Sequence, residues 1–88
     1  MGWTITQFQE TPNPNALKCA LDRPIAEVPK SYSSASSAAG DPVAARLFSI
    51  PGVTNLLIHP TWITVNKSPD VPWKSIKPAV AKALESLP

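Results

Sequence analysis

The sequence predicts a small α/β (α+β) domain: a mostly antiparallel sheet of about four strands packed against two helices, in the order β-β-(β)-α-β-β-α. Three observations carry this. Short segments with period-2 apolar alternation are separated by Pro-, Asn- and Asp-rich turns. Two of them flank a loop, His59-Pro60-Thr61, too short for anything but a hairpin. Near the C-terminus, apolar residues recur at helical spacing. The 88 residues suffice for one core, so a single domain over 1–88 is expected. An apolar content of 43% against 16% charged residues excludes a disordered chain.

The first strand is expected over Trp3 to Glu10, where β-branched and aromatic residues gather. It stops at Thr11-Pro12-Asn13-Pro14-Asn15, because two prolines fix φ and remove two amide donors. Ala16 to Leu21 follows as a second strand, with Leu17, Cys19 and Leu21 on one face. Asp22-Arg23-Pro24 ends it. Between Ile25 and Ser33 the prolines leave room only for a short edge strand, at Lys30 to Ser33. The Ser/Ala-rich stretch from Ser33 to Gly40 reads as a flexible connection with at most one helical turn.

Asp41-Pro42 is a helix start: the aspartate accepts from free amides, and proline is harmless at the first position. The helix is expected over Asp41 to Ser49, ended by Pro51-Gly52. Val53 to Ile58 and Trp62 to Asn66 are the arms of the hairpin. The last helix is expected from Pro69-Asp70 to Leu87, with Asp70 as its cap. Trp73, Ile76, Val80, Leu84 and Leu87 fall within an arc of about 80°, one buried stripe. Pro78 interrupts one hydrogen bond and is expected to kink, not end, the helix.

Composition excludes several function classes. The net charge is +2, and the eight Lys and Arg are scattered and interleaved with acids, which argues against nucleic acid. No apolar run approaches the ~18 residues needed to span a bilayer. With one cysteine and no signal-like N-terminus, a cytoplasmic location is expected. There is no Gly-rich phosphate loop, no close carboxylate pair and no Ser–His–Asp constellation, so no enzyme is expected.

Four stretches, in order, resemble the N-terminal domain of Nfu/NifU-type iron–sulfur cluster scaffold proteins. Thr11-Pro12-Asn13-Pro14-Asn15-Ala16-Leu17-Lys18 is similar to that family's opening signature. The stretch from Pro42 to Val53 is similar to its first helix and turn. Ile63-Thr64-Val65-Asn66-Lys67 and Trp73-Lys74-Ser75-Ile76-Lys77-Pro78 are similar to a later strand and helix start. The resemblance implies a compact α/β domain that usually precedes a second domain bearing a Cys-x-x-Cys pair, where the cluster is held. The present sequence contains no Cys-x-x-Cys, so that activity has no residues to be carried onto. It implies a non-catalytic accessory or protein-interaction module of cluster assembly, a stand-alone form. Its partner would be an iron–sulfur scaffold, carrier or client protein. The chain alone would hold no cofactor, and iron binding would be indirect.

One thiol per chain falls short of the four soft ligands a cluster needs. Cys19 shares a face with Leu17 and Leu21, and the family favours an aromatic residue there, so a core role is expected. The Asn13/Asn15 turn has two readings: a lock on strand register, or a rigid polar surface for a partner. Lys18 and Arg46 would add charge at its edge. Trp73 reads as core. Trp62 points away from Ile63 and Val65 and is the candidate aromatic anchor. The partner-binding candidates are thus Asn13, Asn15, Lys18, Arg46 and Trp62. His59 is expected to be solvated. The alternative is a small metal- or ligand-binding protein whose site combines Cys19, His59 and the Asn13/Asn15 turn.

Overall fold

A computed structural model describes residues 2–87; Met1 and Pro88 lie outside the described residues. Five strands, β1 (Ile5–Glu10), β2 (Ala16–Leu21), β3 (Lys30–Tyr32), β4 (Val53–Ile58) and β5 (Trp62–Lys67), form one sheet in the order β1-β2-β5-β4-β3. Every pairing is antiparallel. The helices are α1 (Pro42–Phe48) and α2 (Trp73–Ser86). The expected class and element order therefore hold, with the short strand at Lys30 joining the sheet as a fifth, edge member.

Both helices lie on one side of the sheet, as the core shows. Leu17, Cys19 and Leu21 of β2, Leu56 and Ile58 of β4, and Ile63 and Val65 of β5 are buried, and most of them cluster with Ala44 and Leu47 of α1 and Ile76, Val80 and Leu84 of α2. Register places these residues on a common face: Cys19 opposes Ile63, Leu17 opposes Val65, and Ile58 opposes Ile63 from the other side. The alternate residues, Lys18, Ala20, Trp62, Thr64, Asn66, Asn55 and Leu57, face outward. Among the described residues no helix covers them, so the domain has one packed and one open sheet face.

Beyond one-residue shifts at the ends of β3, β5 and the helices, three features differ from the sequence expectation. β1 begins at Ile5, because Thr4 and Trp3 are engaged otherwise. The Thr4 amide donates to the Asp22 carboxylate at 3.0 Å, and the Trp3 amide donates to the Leu84 carbonyl at 2.9 Å. α2 begins at Trp73, not near Asp70, and Pro72 is its cap with no side-chain hydrogen bond. Asp70 is not a helix cap: its carboxylate accepts from the Ser68 hydroxyl, which holds the acid below its ordinary range. The third difference is the stretch 33–40, a succession of turns and not a loose connection. The Ala38 amide donates to the Ala35 carbonyl at 3.2 Å and Ala38 is wholly buried, so a small side chain there anchors the segment to the core.

α1 matches expectation. Asp41 caps it, its carboxylate accepting from the amides of Val43 and Ala44. The same carboxylate accepts from the Tyr32 hydroxyl at 2.7 Å and lies 3.5 Å from Lys30 Nζ, so edge strand β3 is tied to the helix it flanks. α2 runs unbroken across Pro78. Between α1 and β4, Gly52 adopts φ +97°, and a Cβ there would press on the Val71 side chain at 3.0 Å.

Candidate functional site

The turn at Pro12 to Asn15 is built from its own hydrogen bonds. The Asn15 amide donates to the Asn13 side-chain oxygen at 2.9 Å, an Asx turn, and the Ala16 amide donates to the Asn13 carbonyl at 3.0 Å. The Thr11 hydroxyl reaches both the Asn13 and Ala16 carbonyls. Two tertiary ties then fix the turn to the domain. The Trp73 indole donates to the Pro14 carbonyl at 2.9 Å, and the Lys67 ammonium donates to the Asn15 side-chain oxygen at 3.2 Å.

Lys67 is the side chain that the sequence reading passed over. It is only 8% exposed, a buried charge at the end of the inward row Ile63, Val65, Lys67. Its ammonium also donates to the Ser68 carbonyl and lies 5.4 Å from the Trp73 ring centroid. A buried ammonium needs such partners, because leaving one unpaired costs several kcal/mol. The signal was present: period-2 parity from Ile63 puts residue 67 on the core face, so a lysine there demands an acceptor.

On the open face a second cluster forms. Trp62 is half-buried and its ring stacks on His59, with centroids 3.8 Å apart and planes 10° from parallel. Lys18 Nζ stands 4.4 Å from the Trp62 ring centroid. Register explains this: Lys18 opposes Thr64, one diagonal step from Trp62. His59 is thus half-buried against an aromatic ring, not freely solvated as expected. Trp73, expected in the core, is also half-buried and serves as the clamp on the turn.

The five partner-binding candidates do not form one patch. Asn13 and Asn15 lie in the turn, Lys18 and Trp62 on the open face, and Arg46 on α1. Arg46 donates to the Ser86 hydroxyl at 3.2 Å, at the last turn of α2, whereas the Asn turn touches the first residue of that helix. Fourteen helical residues separate those ends by about 20 Å. Arg46 therefore adds no charge at the edge of the turn.

A metal or cluster site made from Cys19, His59 and the Asn turn is likewise dispersed. Cys19 lies under the helices at 1% exposure, its Sγ 4.0 Å from the Leu17 carbonyl. Burial pushes its thiol up to about 12, only partly offset by Lys77, so it is no ready thiolate ligand. His59 stacks on a ring of the opposite sheet face. Asn15 is committed to Lys67. Among the described residues there is no group of three or more His, Cys, Asp and Glu able to hold a metal ion, and no helix is long and apolar enough to cross a membrane.

The fold and these two clusters define a class: a small α+β domain with one helix-covered sheet face, one open face and a self-locked Asn/Pro turn. Its sequence matches the family model described as scaffold protein Nfu/NifU N terminal over residues 5–87, and the chain belongs to that family. It is 37% identical over 79 residues to NifU-like protein 4, mitochondrial, of Arabidopsis thaliana, covering 89% of this chain and 28% of that protein. It is 36% identical over 80 residues to the NFU1 iron-sulfur cluster scaffold homolog, mitochondrial, of Homo sapiens, covering 89% and 32%. The chain thus spans about a third or less of the length of these curated relatives. A NifU-like protein of Saccharomyces cerevisiae has a similar solved structure, with TM-score 0.75 and 28% identity over 92% of this chain and 76% of that one. Protein SAV1430 of Staphylococcus aureus shares the fold at TM-score 0.75 and 22% identity, covering 91% and 96%.

Proposed function

We propose that this domain is a non-catalytic docking module of iron–sulfur cluster assembly, which engages a cluster scaffold, carrier or client protein through its open sheet face. The observation that carries this reading is the exposed-face cluster of Lys18, Trp62 and His59. It is a rigid aromatic and cationic platform on a domain whose only thiol is sealed in the core. Aromatic side chains held by packing lose little entropy on binding, which suits them as anchors. Membership of the scaffold family supplies the context of cluster assembly. The cluster is cargo held by the partner, because a single buried thiol cannot supply a ligand set. We place the domain in a reducing compartment such as the cytoplasm, tested by fractionation of cells expressing it.

The test is a titration of the isotope-labelled domain with a purified, cluster-loaded Cys-x-x-Cys domain of the scaffold type. Shifts are expected at Lys18, Ala20, Trp62 and Thr64. Trp62→Ala should weaken binding by about tenfold or more while leaving the fold intact. Saturating partner with no shift on this face would sink the reading.

A further inference from the structure

Two of the stretches by which the chain resembles its family, one opening at Thr11 and one at Trp73, meet at a cavity of 250 Å³. It lies between the end of β1, the Asn/Pro turn and the first turns of α2. Pro14, Ala16 and Leu17 give it apolar walls, and Trp73 adds an indole held by its hydrogen bond to the Pro14 carbonyl at 2.9 Å. Trp73 and Lys77 are four residues apart, so both stand on one face of α2. Glu10 opposes Leu17 in the sheet, which sends its side chain to the same, helix-covered side. The Asx turn, Lys67 and Trp73 lock the turn, so the walls are in place before anything enters. At ~30 Å³ per water the space holds about eight waters, less than the ~300–1,000 Å³ of drug-sized ligand pockets.

Glu10 and Lys77 present opposite charges to this space without neutralising each other. Among the described residues the Glu10 carboxylate has no ion pair and no side-chain hydrogen bond. The Lys77 ammonium lies 5.3 Å from the Phe8 ring centroid and has no carboxylate partner. A lone anion in the cavity would face Glu10, and a lone cation would face Lys77. A neutral apolar molecule would strip water from both charges and return nothing. A ligand that carries both charges satisfies both groups, and the volume and apolar walls admit a small one with an apolar arm. We infer that the cavity binds a free aliphatic α-amino acid. Its ammonium donates to the Glu10 carboxylate, its carboxylate accepts from the Lys77 ammonium, and its side chain lies against Pro14, Leu17 and the Trp73 indole. The site is on the helix-covered side of the sheet, so it does not depend on docking through the open face.

The experiment is a titration of the isotope-labelled domain with L-leucine up to about 20 mM, read in amide and indole spectra against a sodium chloride control. Saturable shifts are expected at Glu10, Leu17, Lys77 and the Trp73 indole, and not at Lys18 or Trp62. N-acetyl-L-leucine lacks the ammonium and L-leucinamide lacks the carboxylate, so each should bind about tenfold or more weakly. Glycine lacks the aliphatic arm and should lose about tenfold as well. In Glu10→Gln, leucine and its N-acetyl form should bind alike. In Lys77→Met, which keeps an apolar stem over Phe8, leucine and its amide should bind alike. Leucine that shifts none of these residues overturns the inference. So does an N-acetyl, amide or glycine probe that binds as tightly as leucine, or a variant that keeps the wild-type discrimination. The wild-type ligand series stands independently of how the variants fold. Failure here leaves the open-face reading intact, because that one is read at Lys18, Trp62 and Thr64.

Discussion

Lys67 shows how one buried charge organises a loop. Its ammonium donates to Asn15 and to the Ser68 carbonyl, while its own amide donates to the Asn15 carbonyl at 2.8 Å. Asn15 is thereby held at backbone and side chain by one residue of β5. Replacing the lysine with methionine keeps the stem and removes the donor, leaving the Asn15 oxygen to find water. Lys67→Met is expected to cost about 1–3 kcal/mol in chemical denaturation, and Asn15→Ala in the same background should add little, since the two share one interaction. A fully additive double variant would contradict the lock. Cys19 gives a second expectation. With its thiol pushed up to about 12 and its sulfur under α2, disulfide reagents at neutral pH should modify it only on unfolding. Modification rates that track denaturant concentration would confirm this, and fast labelling of the native chain would refute it.

Among the elements, α1 owes its start to Asp41. Burial by itself raises that carboxyl, but the Tyr32 hydroxyl, the Ala44 amide, Lys30 and the Val43 amide together outweigh it and hold the acid below its ordinary value. A depressed carboxyl contributes stability above the unfolded value near ~3.9, and loses it as pH falls through the lower folded value. Thermal midpoints should therefore drop between about pH 5 and pH 2 in the wild type. Asp41→Asn keeps a cap and removes the titration, so its profile should be flatter there. Asp41→Ala loses the cap and should cost about 1 kcal/mol at neutral pH. Much of this layer was legible in the sequence: the Asp41-Pro42 start, the Pro51-Gly52 stop, the hairpin about His59-Pro60-Thr61 and the α2 stripe follow from local chemistry. What misled is equally local in form. Asp70 looks like a cap, but the chain between it and α2 holds Pro72, and the Ser68 hydroxyl claims the carboxylate first. The stretch 33–40 looks loose because its one anchor, Ala38, is indistinguishable in type from its exposed neighbours.

Across the whole molecule, the sheet separates chemistry that the sequence lists side by side. Residue number says nothing of the face on which a turn residue lands, so Cys19, His59 and the Asn turn looked combinable. Strand parity sends Cys19 inward under α2, while the Trp62–His59 stack stands on the other side. The consequence is a prediction about cargo. Anaerobic reconstitution of the isolated domain with iron, sulfide and thiol should leave it colourless after desalting, with iron and sulfide well below one per chain, because clusters require several accessible thiolates. Cys19→Ser should give the same result, its only effect being a loss of stability from a hydroxyl in an apolar core, of about 1–3 kcal/mol. When a cluster-loaded Cys-x-x-Cys domain is added, the visible absorption should stay with that domain on separation. A brown product retained by the wild-type chain alone, and lost in Cys19→Ser, would mean that α2 opens far enough for the thiol to reach metal, and the docking reading would have to give way to direct ligation.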